Sequence, residues 1–156
     1  MIFVITLGEG VVIMGLRLFA ISAIGALTAV AMSAAPATAQ LKVAVIENLS
    51  GPGSATNRLY AVGLKAGLTM VNQAGGWKGE PIQYLEYDSQ GSSSVAADKV
   101  RAAIADGAHI LVSGGSSAVA GQIVEEVRKQ NLRNPDRRVI FMNVGAEASD
   151  FTGEKC

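Results

Sequence analysis

The sequence predicts an α/β fold in which an open parallel sheet carries helices on both faces. Three observations predict it. Short apolar runs rich in β-branched residues alternate three times with longer segments of helical period, and a fourth apolar run closes the series. Each strand must then be reached by a crossover, which makes neighbouring strands parallel and layers helices over the sheet. Glycine or proline punctuates most junctions. Finally, Ser113-Gly114-Gly115-Ser116-Ser117 joins the third apolar run to the third helical segment, the kind of place where ligands gather on open parallel sheets.

The chain has 156 residues, 49% hydrophobic and 17% charged, with thirteen basic and thirteen acidic side chains. That composition fits one globular unit or part of one. With zero formal charge and no block of like charge, neither nucleic acid nor an anionic membrane surface is expected as a partner.

The first 39 residues differ in kind. Residues 18–32 (LFAISAIGALTAVAM) are apolar apart from Ser22 and Thr28, follow Arg17 and run into Ala35-Pro36-Ala37-Thr38-Ala39-Gln40. A positive start, an apolar middle and Ala37-x-Ala39 describe a signal peptide, cleaved before Gln40. An uncleaved anchor is the competing reading, because no charge falls between Leu18 and Gln40. The natural start is expected at Met14, since Glu9 sits awkwardly upstream of such a signal. Cys156 is the sole cysteine and the last residue, so it is a free thiol or half of a pair with sequence outside this chain.

The remaining elements follow in order. Leu41 to Ile46 (LKVAVI) reads as a buried first strand, and residues 47–57, with Ser50-Gly51-Pro52-Gly53-Ser54, as a loop. A helix over about 56–73 turns Tyr60, Leu64, Leu68 and Val71 to one face and stops at Gly75-Gly76. After a turn at 77–81, Ile82 to Tyr87 forms the second strand and Asp88 ends it. The Ser92-Ser93-Ser94 cluster caps a helix that runs through Asp106 with Ala96, Val100, Ala103 and Ile104 inward. His109 to Val112 is the third strand. Ala120, Ile123, Val124 and Val127 then mark a helix to about Gln130, and after a polar connection residues 138–142 (RVIFM) make the fourth strand. The tail, 143–156, shows too little apolar period for another element.

Motifs for chemistry are sparse. Gly51-Pro52-Gly53 lacks the spacing of a dinucleotide fingerprint, and no phosphate-binding Gly-x-x-x-x-Gly-Lys run occurs, so no cofactor is expected. His109 has no nucleophile and orienting group beside it and reads as structural. Glu86 and Asp88 share one strand face and read as solvated or capping, and no cluster of metal ligands is present. Three loops remain at one edge of the sheet: 50–54, 113–117 and 143–147. They predict a rim of small polar residues and free amides, with the amino end of the third helix behind Ser116 and Ser117. Capping of that helix is the bland alternative for either serine. Such a rim suits a small polar solute and lacks the groups that would transform it, so no enzyme is expected.

The runs LKVAVIENLSGPGS, VNQAGGWKG, YLEYDSQG, DGAHILVSGGSSAVA and NVGAEASDFTGEKC resemble, in order, the N-terminal lobe of periplasmic solute-binding proteins of the leucine/isoleucine/valine-binding family. The resemblance covers 41–156. It implies one lobe of a type I periplasmic binding protein, the exported component of an ABC transporter that holds a solute between two lobes and delivers it to a permease. It also implies that Ser116 or Ser117, the Ala118 amide, Gly145, Ala146 and Glu147 form this lobe's half of the site, with Ser50 and Gly51 near it. In the family's amino-acid binders these two loops hold the ligand carboxylate, and Glu147 stands where those binders carry threonine. A carboxylate there repels another unless a cation intervenes.

Family members run to more than twice this length, so residues 40–156 are expected to be an N-terminal lobe that stops before the second. Such a sheet is expected to carry an uncovered edge prone to self-association. Two other readings stay open: the ligand-sensing domain of a receptor and an exported enzyme of unknown type.

Overall fold

A computed structural model describes residues 40–153. The expected signal peptide, its expected cleavage site and the expected start at Met14 lie outside them, as does Cys156. Four strands form one parallel sheet in the order β2-β1-β3-β4.

Strand β1 (Lys42–Glu47) is central, and Val43 through Glu47 are all buried. Its run KVAVIE supplies apolar groups to both faces, as a strand covered on both sides needs. Helix α1 (Ser54–Gln73) leads to β2 (Gln83–Asp88), and α2 (Ser93–Ala105) carries the chain back past β1 to β3 (Ile110–Ser113). Helix α3 (Ser117–Arg133) continues outward to β4 (Ile140–Asn143). The first crossover runs one way along the sheet and the next two the other way. With a common right hand, α1 must lie on one face and α2 with α3 on the opposite face.

The core divides accordingly. Ala44, Ile46 and Leu111 pack with Ala96, Val100, Ala103, Val119, Ile123 and Val127 from α2 and α3. Val43, Val45 and Val112 pack with Ala61 of α1, joined by the half-buried Leu64, Leu68 and Tyr84. Successive strand residues alternate between the two clusters, which is the period of a pleated strand.

The α1 face is the thinner one. Of the helix positions expected inward, Leu64 and Leu68 are half-buried, but Tyr60 and Val71 remain exposed. One helix lies over this face and reaches chiefly β1 and β2, so Ile140 and Met142 on β4 stay 61% and 50% exposed. Strand β4 also ends the sheet, with no strand on its outer side among the described residues.

Boundaries shift where local geometry overrides the pattern. Helix α1 begins at Ser54, because Gly53 takes a left-handed φ of 78° and turns the chain directly into it. Helix α3 runs past Gln130 to Arg133, and the polar connection holds a one-turn 3-10 helix, Pro135–Arg137. The tail expected to be irregular contains a second such turn, Ser149–Thr152.

Two helix-to-strand returns use the same device. Asn72 accepts from Ile82 N at 2.7 Å and donates to Ile82 O at 2.9 Å, while Asn131 does the same to Val139 at 2.8 and 2.9 Å. Each side-chain amide stands in for a strand partner just before the strand begins. Asn131→Ala leaves both backbone groups of the buried Val139 unpaired, and we expect a loss of about 1–3 kcal/mol in urea unfolding.

Candidate functional site

The carboxyl ends of the four strands bring together Glu47, Asp88, Ser113 and Asn143 with the loops that follow them. The strand order reverses direction between β1 and β3, and a crevice opens at such a point because the flanking loops diverge to opposite faces. A polar hollow lies there, lined by Asn48, Asn57, Gln90, Gly115 and Ser116 among others.

The β3–α3 loop is held closely. Gly114 N–H donates to the Glu47 carboxylate, and Gly115 N–H donates to Ser113 Oγ at 3.1 Å. Ser116 is the N-cap of α3: its hydroxyl accepts from Val119 N at 3.4 Å, and its carbonyl accepts from Ala120 N at 2.9 Å. The Ser117 hydroxyl has no partner among the described residues, and the backbone N–H groups of Ser116, Ser117 and Ala118 likewise donate to none. The sequence left either serine open as a cap; the structure divides the roles. Three amides and one hydroxyl therefore face outward at the positive end of a 17-residue helix, an arrangement that attracts a negatively charged group. Because the Ser116 hydroxyl caps α3, Ser116→Ala is expected to cost about 1 kcal/mol in thermal or urea unfolding. Ser117→Ala should leave stability unchanged.

The β4 loop differs from the rim of free amides expected from sequence. Asn143 Oδ1 accepts from both Gly145 N at 3.2 Å and Ala146 N at 2.8 Å, and Asn143 Nδ2 donates to Ala146 O at 2.7 Å. Asparagine at a strand end folds back on its own loop in this way, satisfying the amides internally. Gly145 packs backbone to backbone against Gly114, and Glu147 is exposed. The loops after β3 and β4 thus touch through two glycines.

Ser50 and Gly51 lie on the other side. Ser50 Oγ donates to Asp88 Oδ2 at 2.5 Å, and Leu49 N and Gln90 N donate to Asp88 Oδ1 at 2.9 and 2.8 Å. Asp88 thereby ties the β1 and β2 loops together. Partial burial raises its pKa, but the hydrogen bonds outweigh that and leave it below the usual aspartate value. The folded carboxyl is the stronger acid, so its contribution to stability is present above the ordinary pKa and is lost as pH falls through the lowered one. Asp88→Asn should accordingly show a shallower loss of stability on acidification, measurable by urea midpoints from pH 6 downward. Arg58 braces the same corner, its Nε donating to Leu49 O at 2.7 Å.

Sequence reasoning passed over Glu47 and Asn57 as site residues and read Tyr60 only as part of a helix face, not as a neighbour of Gly114. Glu47 is 1% exposed, its carboxylate bonded to Gly114 N and to Asn57 Nδ2, the latter at 2.9 Å. Burial pushes its pKa up, against the pull of those donors. The signal was available: an acid that directly continues the buried run VAVI, in step with Val43 and Val45, belongs to the strand and points toward α1. His109 sits at the opposite edge, where its Nδ1 accepts from Lys42 N at 3.2 Å, a structural contact at the sheet end.

The family profile described as periplasmic binding protein matches residues 40–156. The chain belongs to the periplasmic binding protein family. A Leu/Ile/Val-binding protein homolog 4 of Brucella abortus is 51% identical over 144 residues, covering 92% of this chain and 35% of that protein. The corresponding protein of Brucella suis matches equally well. The crystal structure of a leucine-, isoleucine-, valine-, threonine- and alanine-binding protein from Brucella ovis, in a closed conformation, superposes with a TM-score of 0.73 at 55% identity. That match covers 76% of this chain and 30% of the other. A branched-chain amino acid transporter substrate binding protein from Streptococcus pneumoniae, 18% identical with a TM-score of 0.67 over 74% of this chain and 32% of its own, shares the fold. The chain spans about a third of the length of the curated relatives that it matches, the 35% given above. As a family member it presents the fold of a type I periplasmic binding protein lobe, with its amide-bearing helix end at the strand crevice.

Proposed function

We propose that this chain is the solute-binding component of an ABC transporter, taking a small polar solute such as an amino acid at the rim built by Ser116, Ser117, Ala118, Gly145, Ala146 and Glu147. The observation that carries the reading is the group of unpartnered amides of Ser116, Ser117 and Ala118 beside the free Ser117 hydroxyl. They suit a carboxylate, because anions are favoured at a helix N-terminus and these donors need no rearrangement. The names of the Brucella relatives, a Leu/Ile/Val-binding protein homolog and a leucine-, isoleucine-, valine-, threonine- and alanine-binding protein, support the same class of solute. Within this reading the amides take the solute's carboxylate and Glu147, exposed beyond Ala146, takes its ammonium group. The amides of Gly145 and Ala146 serve by shaping the loop, since Asn143 already engages them.

The chain acts as a carrier, without catalysis, in the periplasm after cleavage before Gln40, and passes its solute to a permease of the inner membrane. A solute is enclosed when most of its surface is buried, and a single rim covers one side, so affinity of this lobe alone is expected to be weak.

Titration of the full chain with L-leucine, L-alanine and the N-acetylated form of each tests the reading. The free amino acids should bind, acetylation should weaken them, and both Ser117→Ala and Glu147→Gln should reduce affinity about tenfold each, the scale of one charge-assisted hydrogen bond. Equal binding by wild type and Ser117→Ala would remove this rim as the site.

A further inference from the structure

Glu47 is the one acidic side chain among the described residues that is sealed from solvent. No basic side chain forms an ion pair with it among those residues. A buried carboxylate without a counter-charge is unfavourable, and apolar Val43 and Val45 occupy the same face one and two steps earlier in the alternation. Its oxygens must meet specific donors. Its two oxygens are divided between Asn57 Nδ2 on α1 and the backbone N–H of Gly114.

Gly114 has close neighbours on two further sides. A Cβ there would lie 2.6 Å from the Tyr60 ring, and the Gly145 backbone packs against the Gly114 carbonyl and Cα. The carboxylate therefore fixes the β3–α3 loop against β1, and through Gly114 it fixes the seat of the β4 loop. Both halves of the proposed rim hang on that one amide.

We infer that Glu47 is a positioning residue for the solute-binding rim: clamped by Asn57, it holds Gly114 so that the amides of Ser116–Ala118 and the Gly145 loop face a common solute. The inference rests on the amino-acid-binding reading above, and Glu47 itself does not touch the solute.

The test compares Glu47→Gln and Glu47→Leu in the full chain. Glutamine keeps an oxygen for Gly114, and Asn57 can turn its amide to match the new NH₂ group. Leucine fills a similar space and leaves Gly114 N–H without an acceptor. The probe is L-leucine, followed through the amide resonances of Gly114, Ser117 and Gly145 in ¹⁵N-labelled protein, with urea unfolding in parallel. Glu47→Gln should bind within about threefold of wild type, and Glu47→Leu about tenfold more weakly or worse. The urea midpoint of Glu47→Leu should fall below that of wild type, since Gly114 N–H and Asn57 Nδ2 lose their acceptor, with the chain still folded in the absence of urea. Binding lost in a chain that remains folded, and rescued by glutamine, is the signature of positioning, and a folded Glu47→Leu chain that binds as wild type does overturns the inference.

If Glu47→Leu does not fold, hydrogen exchange at the Gly114 amide decides. Slow exchange in wild type and Glu47→Gln supports the clamp, and exchange as fast as at an unpaired surface amide overturns it. Absence of any L-leucine-induced shift in wild type counts against the solute reading alone, because the Gly114 exchange rate still tests the clamp.

Discussion

Gly145→Ala is expected to weaken solute binding about a hundredfold, the scale of displacing positioned groups by roughly an ångström. A Cβ at Gly145 would lie 2.6 Å from the Gly114 carbonyl oxygen and 2.9 Å from Gly114 Cα. Both neighbours are backbone, so neither can swing aside as a flexible side chain would. The loops after β3 and β4 must part, and the rim they share is lost with their contact. Isothermal titration with L-leucine measures the effect. A control separates it from any general intolerance of alanine: a Cβ at Gly67 in α1 meets nothing within 4 Å, and Gly67→Ala should raise stability by about 0.5–1 kcal/mol without touching affinity. Unchanged affinity in Gly145→Ala would show that the two loops do not act together.

Ile46→Ala should produce the largest loss of stability, about 3 kcal/mol. Ile46 is fully buried, and it packs in the cluster shared by β1, β3, α2 and α3, where the sheet is covered by two helices. Removing three carbons there leaves a cavity that close-packed neighbours fill only in part. Urea unfolding at neutral pH checks it, with an unchanged slope showing that the same surface is exposed. The exposed Ile140 on β4 is the contrast: Ile140→Ala should change stability by less than about 1 kcal/mol, because its side chain leaves little water behind on folding. A comparable loss at both positions would mean that another surface covers the β4 face in solution, as the expected self-association through this edge implies. Sedimentation of the two variants would then show it.

Much of the architecture was legible because it depends on local pattern. Val43, Val45 and Ile46 announce a strand buried on both faces, and Ala120, Ile123 and Val127 announce a helix stripe, whatever else the chain does. The Ser116 loop was legible for the same reason, since a strand followed by glycines and a helical stripe marks a turn and a helix start, though not which serine caps it. What the pattern could not carry was the use made of individual polar groups. Asn143 looks like an ordinary strand terminus in sequence, yet its side chain takes up the two amides that the pattern left free. Glu47 looks like the first residue of a polar loop, yet it is the most deeply buried acid described.

The sequence by itself determined the alternation of strands and helices, the face each strand residue turns to, and a glycine-bearing helix start at the carboxyl edge. Those follow from periods of two and 3.6 residues and from the backbone freedom of glycine, all properties of neighbours along the chain. Only the tertiary structure decided that α1 stands alone on its face, that Tyr60 comes to rest on Gly114, and that Glu47 reaches an amide 67 positions away. Those depend on the strand order and the hand of the crossovers, which bring distant residues within hydrogen-bond reach, and no local period records that.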